Sequence, residues 1–364
     1  MPRKPLKFVF FTDLHAHLYK ECSRVVGEGI YDRIYDYLNV LDQIRNFCVE
    51  NKVKMVIFGG DLFHERGNLN VIAQNLVYEK LKEIRKVIKL FVFNPGQHDF
   101  ALKTSFSCYT AYRDTIGVVY DEPGSFKANG YTICCHPYTT DRESLLDFLK
   151  TPGDIFVLHQ GVSEVSVSSK SRYKADTILS IKDLPSKSII NLLGDYHVFQ
   201  KINKNSWYGG SCLQNNWGDE NDEKFFLYVT VLGNSVDVQA IPVEGPKFIQ
   251  VDYDSKRYRR GVLKGNFVRV ILRQDSLEDI EEVRDMSLKM GARSVQIITQ
   301  PPEVLIEDPD RLTGAISMTD YDLVKVVEQY IGDLDLRGTE LRRGYLSRIV
   351  RRIMEQKEVL PSEG

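Results

Sequence analysis

The chain has 364 residues, 43% hydrophobic and 27% charged, the balance of a soluble globular protein long enough for two or three domains. A formal net charge of -2 excludes a globally basic nucleic-acid binder but leaves room for local basic patches. Six scattered cysteines (Cys22, Cys48, Cys108, Cys134, Cys135 and Cys212) form no CxxC pair and no framework spacing, which predicts reduced thiols and a cytoplasmic protein. No stretch reads as a signal peptide or a transmembrane span, so no membrane association is expected.

In chain order, residues 7–12 read as a buried strand that stops at Thr12-Asp13-Leu14-His15-Ala16-His17. Within residues 31–50, Ile34, Leu38, Leu41, Ile44 and Phe47 recur at three- and four-residue spacing, which predicts an amphipathic helix. A second strand over 53–58 ends in Gly59-Gly60-Asp61. A second helix over 69–85 leads to a third strand, 87–93, ending in Asn94-Pro95-Gly96-Gln97-His98-Asp99. This β-α-β-α-β order predicts an α/β fold with parallel strands and right-handed crossovers, whose cleft lies beyond the carboxyl ends of the strands.

The pattern then changes. Residues 118–138 read as a hairpin turning at Lys127-Ala128-Asn129-Gly130, and 142–149 as a short helix. Strands over 155–158 and 189–193 end in His159-Gln160-Gly161 and Gly194-Asp195-Tyr196-His197, with a Ser- and Lys-rich loop between them. Short strands follow over 206–208, 225–232 and 236–241. Beyond Pro246, strands over 248–252, 266–272 and 294–299 and a helix over 277–290 form a small α/β unit. Two helical segments, 320–331 and 340–354, close the chain. The expected domains are 1–245, 246–307 and 308–364.

Five strand ends thus offer Asp13 with His15, Asp61, His98, His159, and Asp195 with His197. Singly, each is an ordinary turn residue or helix cap. Together they take four of the seven histidines, each after an apolar run, which points to a shared metal centre. Mixed carboxylate and imidazole ligands favour manganese, iron or zinc. A shared carboxylate is the usual way to hold two ions roughly 3.5–4 Å apart for displacement at phosphorus.

The series Asp13-x-His15, Gly60-Asp61, Gly96-Gln97-His98-Asp99, His159 and Gly194-Asp195-Tyr196-His197 resembles the calcineurin-like metallophosphoesterase signature, DxH, GD, GNHD, H, GHxH. Gly59-Gly60-Asp61-Leu62-Phe63-His64-Glu65, Leu158-His159-Gln160-Gly161 and Tyr208-Gly209-Gly210-Ser211 look like its DNA double-strand-break-repair nuclease branch, whose bacterial and phage members are called SbcD-like. The resemblance covers about residues 5–245. It implies a four-layer αββα sandwich with a small α/β capping domain and C-terminal helices. It implies that Asp13, His15 and His197 hold a first metal, that Asp61 bridges, and that Gln97, His159 and Asp195 serve a second. His98 would protonate the leaving oxygen, oriented by Asp99, while a metal-bridging hydroxide attacks. Two chain-specific departures, Gln97 for Asn and Asp195 for His, predict an oxygen-rich second site that favours manganese or magnesium over zinc.

The implied function is a manganese-dependent DNA nuclease subunit, an exonuclease on duplex ends and an endonuclease on single strands or hairpins. Its implied partners are DNA, an SMC-like coiled-coil ATPase of the SbcC type bound through the C-terminal helices, and a second copy through helices near 69–85 and 104–113. Two alternatives stand beside it, a DNA-end-binding scaffold with weak catalysis and a phosphoesterase for a small phosphoester or phosphoprotein. Expected phosphate contacts are Lys170, Arg172 and Lys174, then Lys201, then the cluster Lys256, Arg257, Arg259 and Arg260 beside Tyr253 and Tyr258. His64 is expected to fix the loop behind Asp61, and His136 to be structural. Cys134 and Cys135 should fill opposite faces of one strand.

Overall fold

In the computed structural model, which describes residues 3–101, 106–166, 177–273 and 279–300, the first strand, β1 (Leu6–Phe11), is buried on both faces. Val9 and Phe11 enter one core, Phe8 and Phe10 another. The period of two in a strand makes this division, and it puts β1 at the centre of a layered structure.

A small ribbon, β2 (Val25–Gly27) with β3 (Ile30–Tyr31), precedes helix α1 (Ile34–Glu50). Strand β4 (Met55–Phe58), helix α2 (Val71–Val87) and strand β5 (Leu90–Phe93) follow. Asn70 caps α2 by accepting from the amides of Ile72 and Ala73. Next come β6 (Val118–Val119), β7 (Gly124–Ala128), β8 (Tyr131–His136), α3 (Arg142–Leu149), β9 (Ile155–His159) and β10 (Ile190–Gly194). The large part closes with β11 (Gln200–Asn203), β12 (Ser206–Tyr208), β13 (Phe225–Leu232) and β14 (Ser235–Pro242).

These strands form two six-stranded sheets, ordered β14-β13-β1-β4-β5-β6 and β11-β12-β10-β9-β8-β7. In the first, β1, β4, β5 and β6 run parallel. In the second, β8, β9, β10 and β12 do. One core lies between α1, α2 and the first sheet, a second between the sheets, and a third between the second sheet and α3. The layers therefore run helix, sheet, sheet, helix, and the carboxyl ends of β1, β4, β5, β9 and β10 meet.

Two expectations need correction. Val118–Val119 is not part of the hairpin with residues 124–136; it pairs with β5 in the other sheet. No helix fills the described part of 104–113, only a short 3-10 turn over Thr110–Tyr112. The cysteine pair divides as expected, Cys135 between the sheets and Cys134 toward α3.

The small unit holds β15 (Phe248–Asp252), α4 (Arg260–Leu263), β16 (Phe267–Arg273), α5 (Ile280–Lys289) and β17 (Ser294–Gln300). Its strands form a three-stranded parallel sheet. All described residues fall in one compact unit, Met1–Pro302. Arg293 joins Asp36 of α1 at 2.7 Å, and the Arg33 guanidinium lies 5.4 Å over Phe248 and 5.1 Å over Phe267. The helices expected after residue 308 lie outside the described residues. Among the described residues, no helix is long and apolar enough to cross a membrane.

Candidate metal centre

The ends of β1 and β4 continue side by side as extended loops. The amide of Asp13 donates to the Gly60 carbonyl at 2.8 Å, and that of His15 to the Asp61 carbonyl at 3.0 Å. Gly60 has φ +114°, and a Cβ there would run into His159 Nδ1 and the Gly96 backbone, so only glycine fits. Asp13, His15, Asp61 and Asp195 have φ of 51°, 51°, 59° and 104°, left-handed values that non-glycine residues seldom adopt.

These turns aim the side chains at one point. Asp61 Oδ2 lies 3.4 Å from His159 Nε2, 3.7 Å from His15 Nε2 and 4.0 Å from His98 Nε2. His15 Nε2 is 3.8 Å from Asp13 Oδ1 and 3.1 Å from His197 Nε2. The ligand atoms of Asp13, Asp61 and His159 lie within 4.8 Å of one another, as do those of Asp13, His15 and His197, and those of His15, His64 and His98. Thr12, which sequence reasoning passed over, donates its hydroxyl to Asp13 Oδ2 at 2.7 Å.

The donor set suits a divalent cation. His159 Nδ1 stands 2.8 Å from the Gly59 carbonyl, which can only accept, so Nδ1 carries the proton. In the neutral ring Nε2 then keeps its lone pair; it is buried, has no hydrogen-bond partner among the described residues and lies 3.4 Å from Asp61 Oδ2, so an ion binding there would take the place of a proton. A histidine fixed through one nitrogen by a carbonyl, with the other aimed at carboxylates, is the arrangement of a metal ligand.

The charges reinforce one another. Burial opposes ionisation of Asp61, but His159 and His15 outweigh it and hold the carboxyl well below its ordinary range. Burial likewise opposes a charged His159, but Asp61 and Asp13 raise it well above the usual value. His197 is pushed down to about 4 by burial and by His15. Asp195 is pushed up to about 7 by burial, with Asp13 and Asp61 adding to it against His159.

The sequence-derived residues do not all converge. Asp195 joins none of the three groups; its amide donates to Asp13, and its carboxylate lies so close to Gly161 that a Cβ there would sit 3.0 Å from Oδ2. Gln97 opens the 3-10 turn Gln97–Asp99 and is partly exposed. Asp99 is a correction. It does not orient His98: it accepts from the amides of Asp61 at 2.7 Å, Gly96 at 2.8 Å and Leu62 at 2.9 Å. Asp99 is a clasp between two loops, and burial and Asp61 push its carboxyl up to about 6. His98 is oriented instead by the His64 carbonyl, which faces its Nδ1, and by Asp61 Oδ1, which accepts its amide at 2.8 Å.

The His64 ring stacks on His98 with centroids 5.9 Å apart. His136 donates from Nδ1 to the Pro137 carbonyl at 2.7 Å and packs edge-on against Phe148. Among the basic residues, the Lys201 ammonium lies 4.9 Å over Trp207, and Lys256, Arg257, Arg259 and Arg260 are exposed around α4. Lys170, Arg172 and Lys174 lie outside the described residues. Sequence reasoning also missed Asp219 and Lys224, which sit behind His197. The available signal was a lysine closing the acidic run Asp219-Glu220-Asn221-Asp222-Glu223 and opening directly onto an apolar strand.

A family model described as calcineurin-like phosphoesterase matches residues 6–209. Among solved structures, the chain is similar to a novel archaeal phosphodiesterase at 10% identity and a TM-score of 0.34, over 65% of this chain and 100% of that one. It is also similar to GAP50, the anchor in the inner membrane complex of Plasmodium, at 10% identity and a TM-score of 0.39, over 81% of this chain and 97% of that one.

Proposed function

The chain belongs to the calcineurin-like phosphoesterase family, and from that premise we propose that it is a DNA nuclease subunit hydrolysing phosphodiesters. The family uses divalent metals for phosphoester hydrolysis. The observation that carries the reading here is Asp61 Oδ2 within 4.0 Å of three imidazole nitrogens, one of them the buried and unpartnered His159 Nε2.

Asp13, His15 and His197 would hold one ion and His159 the other, with Asp61 between them and Asp195 and Gln97 at the second ion's edge. Bound there, such ions activate water and neutralise charge on phosphoryl oxygens. The protein's own residues supply the rest. The amides of Asp195 and His98 fix the carboxylates of Asp13 and Asp61, and, against burial, the surrounding imidazoles keep them ionised. His98 Nε2 stands at the mouth, its side chain 25% exposed; burial pushes its imidazole below the ordinary value, and with the Nδ1 proton directed at the His64 carbonyl it is the imidazolium form, protonated on both nitrogens, that would deliver the Nε2 proton to a leaving oxygen. The His64 carbonyl fixes its direction.

DNA as the substrate rests on the small unit. It carries the exposed cluster Lys256, Arg257, Arg259 and Arg260, which suits a phosphate backbone. It also meets segment 211–224, which lies behind His197. Manganese or magnesium at an oxygen-rich second site, a capping role for residues 246–307, an SMC-like ATPase bound through residues 308–364 and a homodimer complete the proposal. The test is digestion of duplex and single-stranded DNA with manganese, with and without the ATPase and ATP, for wild type and His98→Ala. Wild-type digestion lost in the variant supports the reading. Turnover of a chromogenic phosphodiester with DNA left intact overturns it in favour of a small-substrate phosphoesterase.

A further inference from the structure

His197 enters the metal cluster through Nε2, which faces His15 Nε2 at 3.1 Å. Its other ring nitrogen, Nδ1, faces the carboxylate of Asp219 at 3.9 Å, an ion-pair separation that is longer than a hydrogen bond. Asp219 is buried and held from behind. Its Oδ2 accepts from the amides of Asn215 at 2.8 Å and Asn216 at 3.4 Å, and its Oδ1 from Lys224 Nζ at 3.4 Å. Lys224 is buried too, and the same ammonium donates to the His197 carbonyl at 3.1 Å and to Ser211 Oγ at 2.9 Å. One buried cation therefore ties the backbone of His197 to the carboxylate beside its ring.

Building on the metal-centre reading above, we infer that Asp219 is a positioning residue for His197: it holds the imidazole in the form with the proton on Nδ1 and so presents the Nε2 lone pair to the ion. An imidazole has one acceptor nitrogen when neutral, and which one is free depends on what its neighbour accepts. A carboxylate accepts only, so it selects the proton on Nδ1. On the other side of the cluster the Gly59 carbonyl does this for His159. Asp219 does it with a full negative charge that a buried lysine keeps in place.

The same segment carries a second set of bonds. The neighbouring Glu220 accepts from the Gln250 amide at 2.8 Å, Gln214 accepts from the Phe248 amide at 2.6 Å, and Trp217 packs on Phe248 with centroids 5.0 Å apart. The strap that positions His197 is thus also the strap on which the small unit sits.

The experiment compares Asp219→Asn, Asp219→Ala and wild type for manganese binding by titration calorimetry, beside metal-free melting curves. Histidine tautomers are read by NMR of isotope-labelled, metal-free protein. Expected is a loss of manganese affinity of roughly tenfold or more in both variants, with His197 of the wild type protonated on Nδ1 and that preference lost in Asp219→Asn. Folded variants that bind manganese as tightly as wild type overturn the inference and leave the metal-centre reading intact. So does a wild-type His197 protonated on Nε2, a result that needs no variant to fold. Wild type that binds no manganese at all overturns both.

Discussion

Charges at the strand ends are held by backbone, whereas charges in the small unit are held by other side chains or stand exposed. Asp61 and Asp99 accept amide bonds from loops that strand pairing has already fixed. Arg293 reaches across to Asp36 and Asp32 on its own flexible stem, and the cluster from Lys256 to Arg260 faces solvent. A group fixed by backbone has little freedom to adapt when its neighbour changes. A group fixed by a long side chain can shift, at a cost in rotamer entropy. The strand ends should therefore respond steeply to substitution and the small unit by degrees.

The sharpest break comes at Asp61. Asp61→Ala should remove manganese binding from calorimetric detection and bring phosphodiester turnover to background, and a variant with even a few per cent of activity would undo its central place. His98→Ala should lower kcat by about 10²–10⁴-fold while manganese affinity stays within about twofold, since His98 is placed to move protons. Asp195→His and Gln97→Asn should each change the relative affinity for zinc and manganese by roughly tenfold, toward zinc. Unchanged selectivity would mean that neither side chain reaches the second ion.

Effects in the small unit should be smaller. Arg293→Ala removes a partly exposed pair with Asp36, and should cost about 1 kcal/mol in stability and weaken DNA binding, with turnover of a small chromogenic phosphodiester untouched. The smallest effect lies away from both regions, at His136. Burial pushes its imidazole below the ordinary value, so the folded chain binds that proton less readily than the unfolded one. Its contribution is fully present above the unfolded value of about 6.5 and is lost as pH falls through the window below it. Melting curves against pH should be flatter in that window for His136→Asn than for wild type.

The sequence made the strand ends legible because a buried strand writes its own signal, an apolar run that a glycine or carboxylate interrupts. The positions of Asp13, Asp61, His98, His159 and His197 could be read from that alone. The partner of each could not. Asp99 follows His98 directly, yet its carboxylate turns back to Asp61, Gly96 and Leu62. Nothing in spacing reports an amide that arrives from another loop. Val118 reads as the start of the hairpin, yet it pairs with β5, and a two-residue strand carries no period that would report its partner. The strands of the small unit were readable from their apolar runs. Its seat on Arg33, Gln214 and Glu220 was not, because that seat is made of single long-range contacts.

Three residues of the cluster, Asp13, His15 and Asp61, and Asp195 beside it hold left-handed backbone angles that a side chain makes costly, each by about 1–3 kcal/mol for the least favourable conformations. Asp195, at φ 104°, is furthest from what an aspartate prefers. Under selection for thermal resistance alone, then, the centre of this protein is where improvement is cheapest. Asp195→Gly should melt a few degrees higher than wild type in the absence of metal. A library sorted only on heat tolerance should lose its catalytic residues before its core.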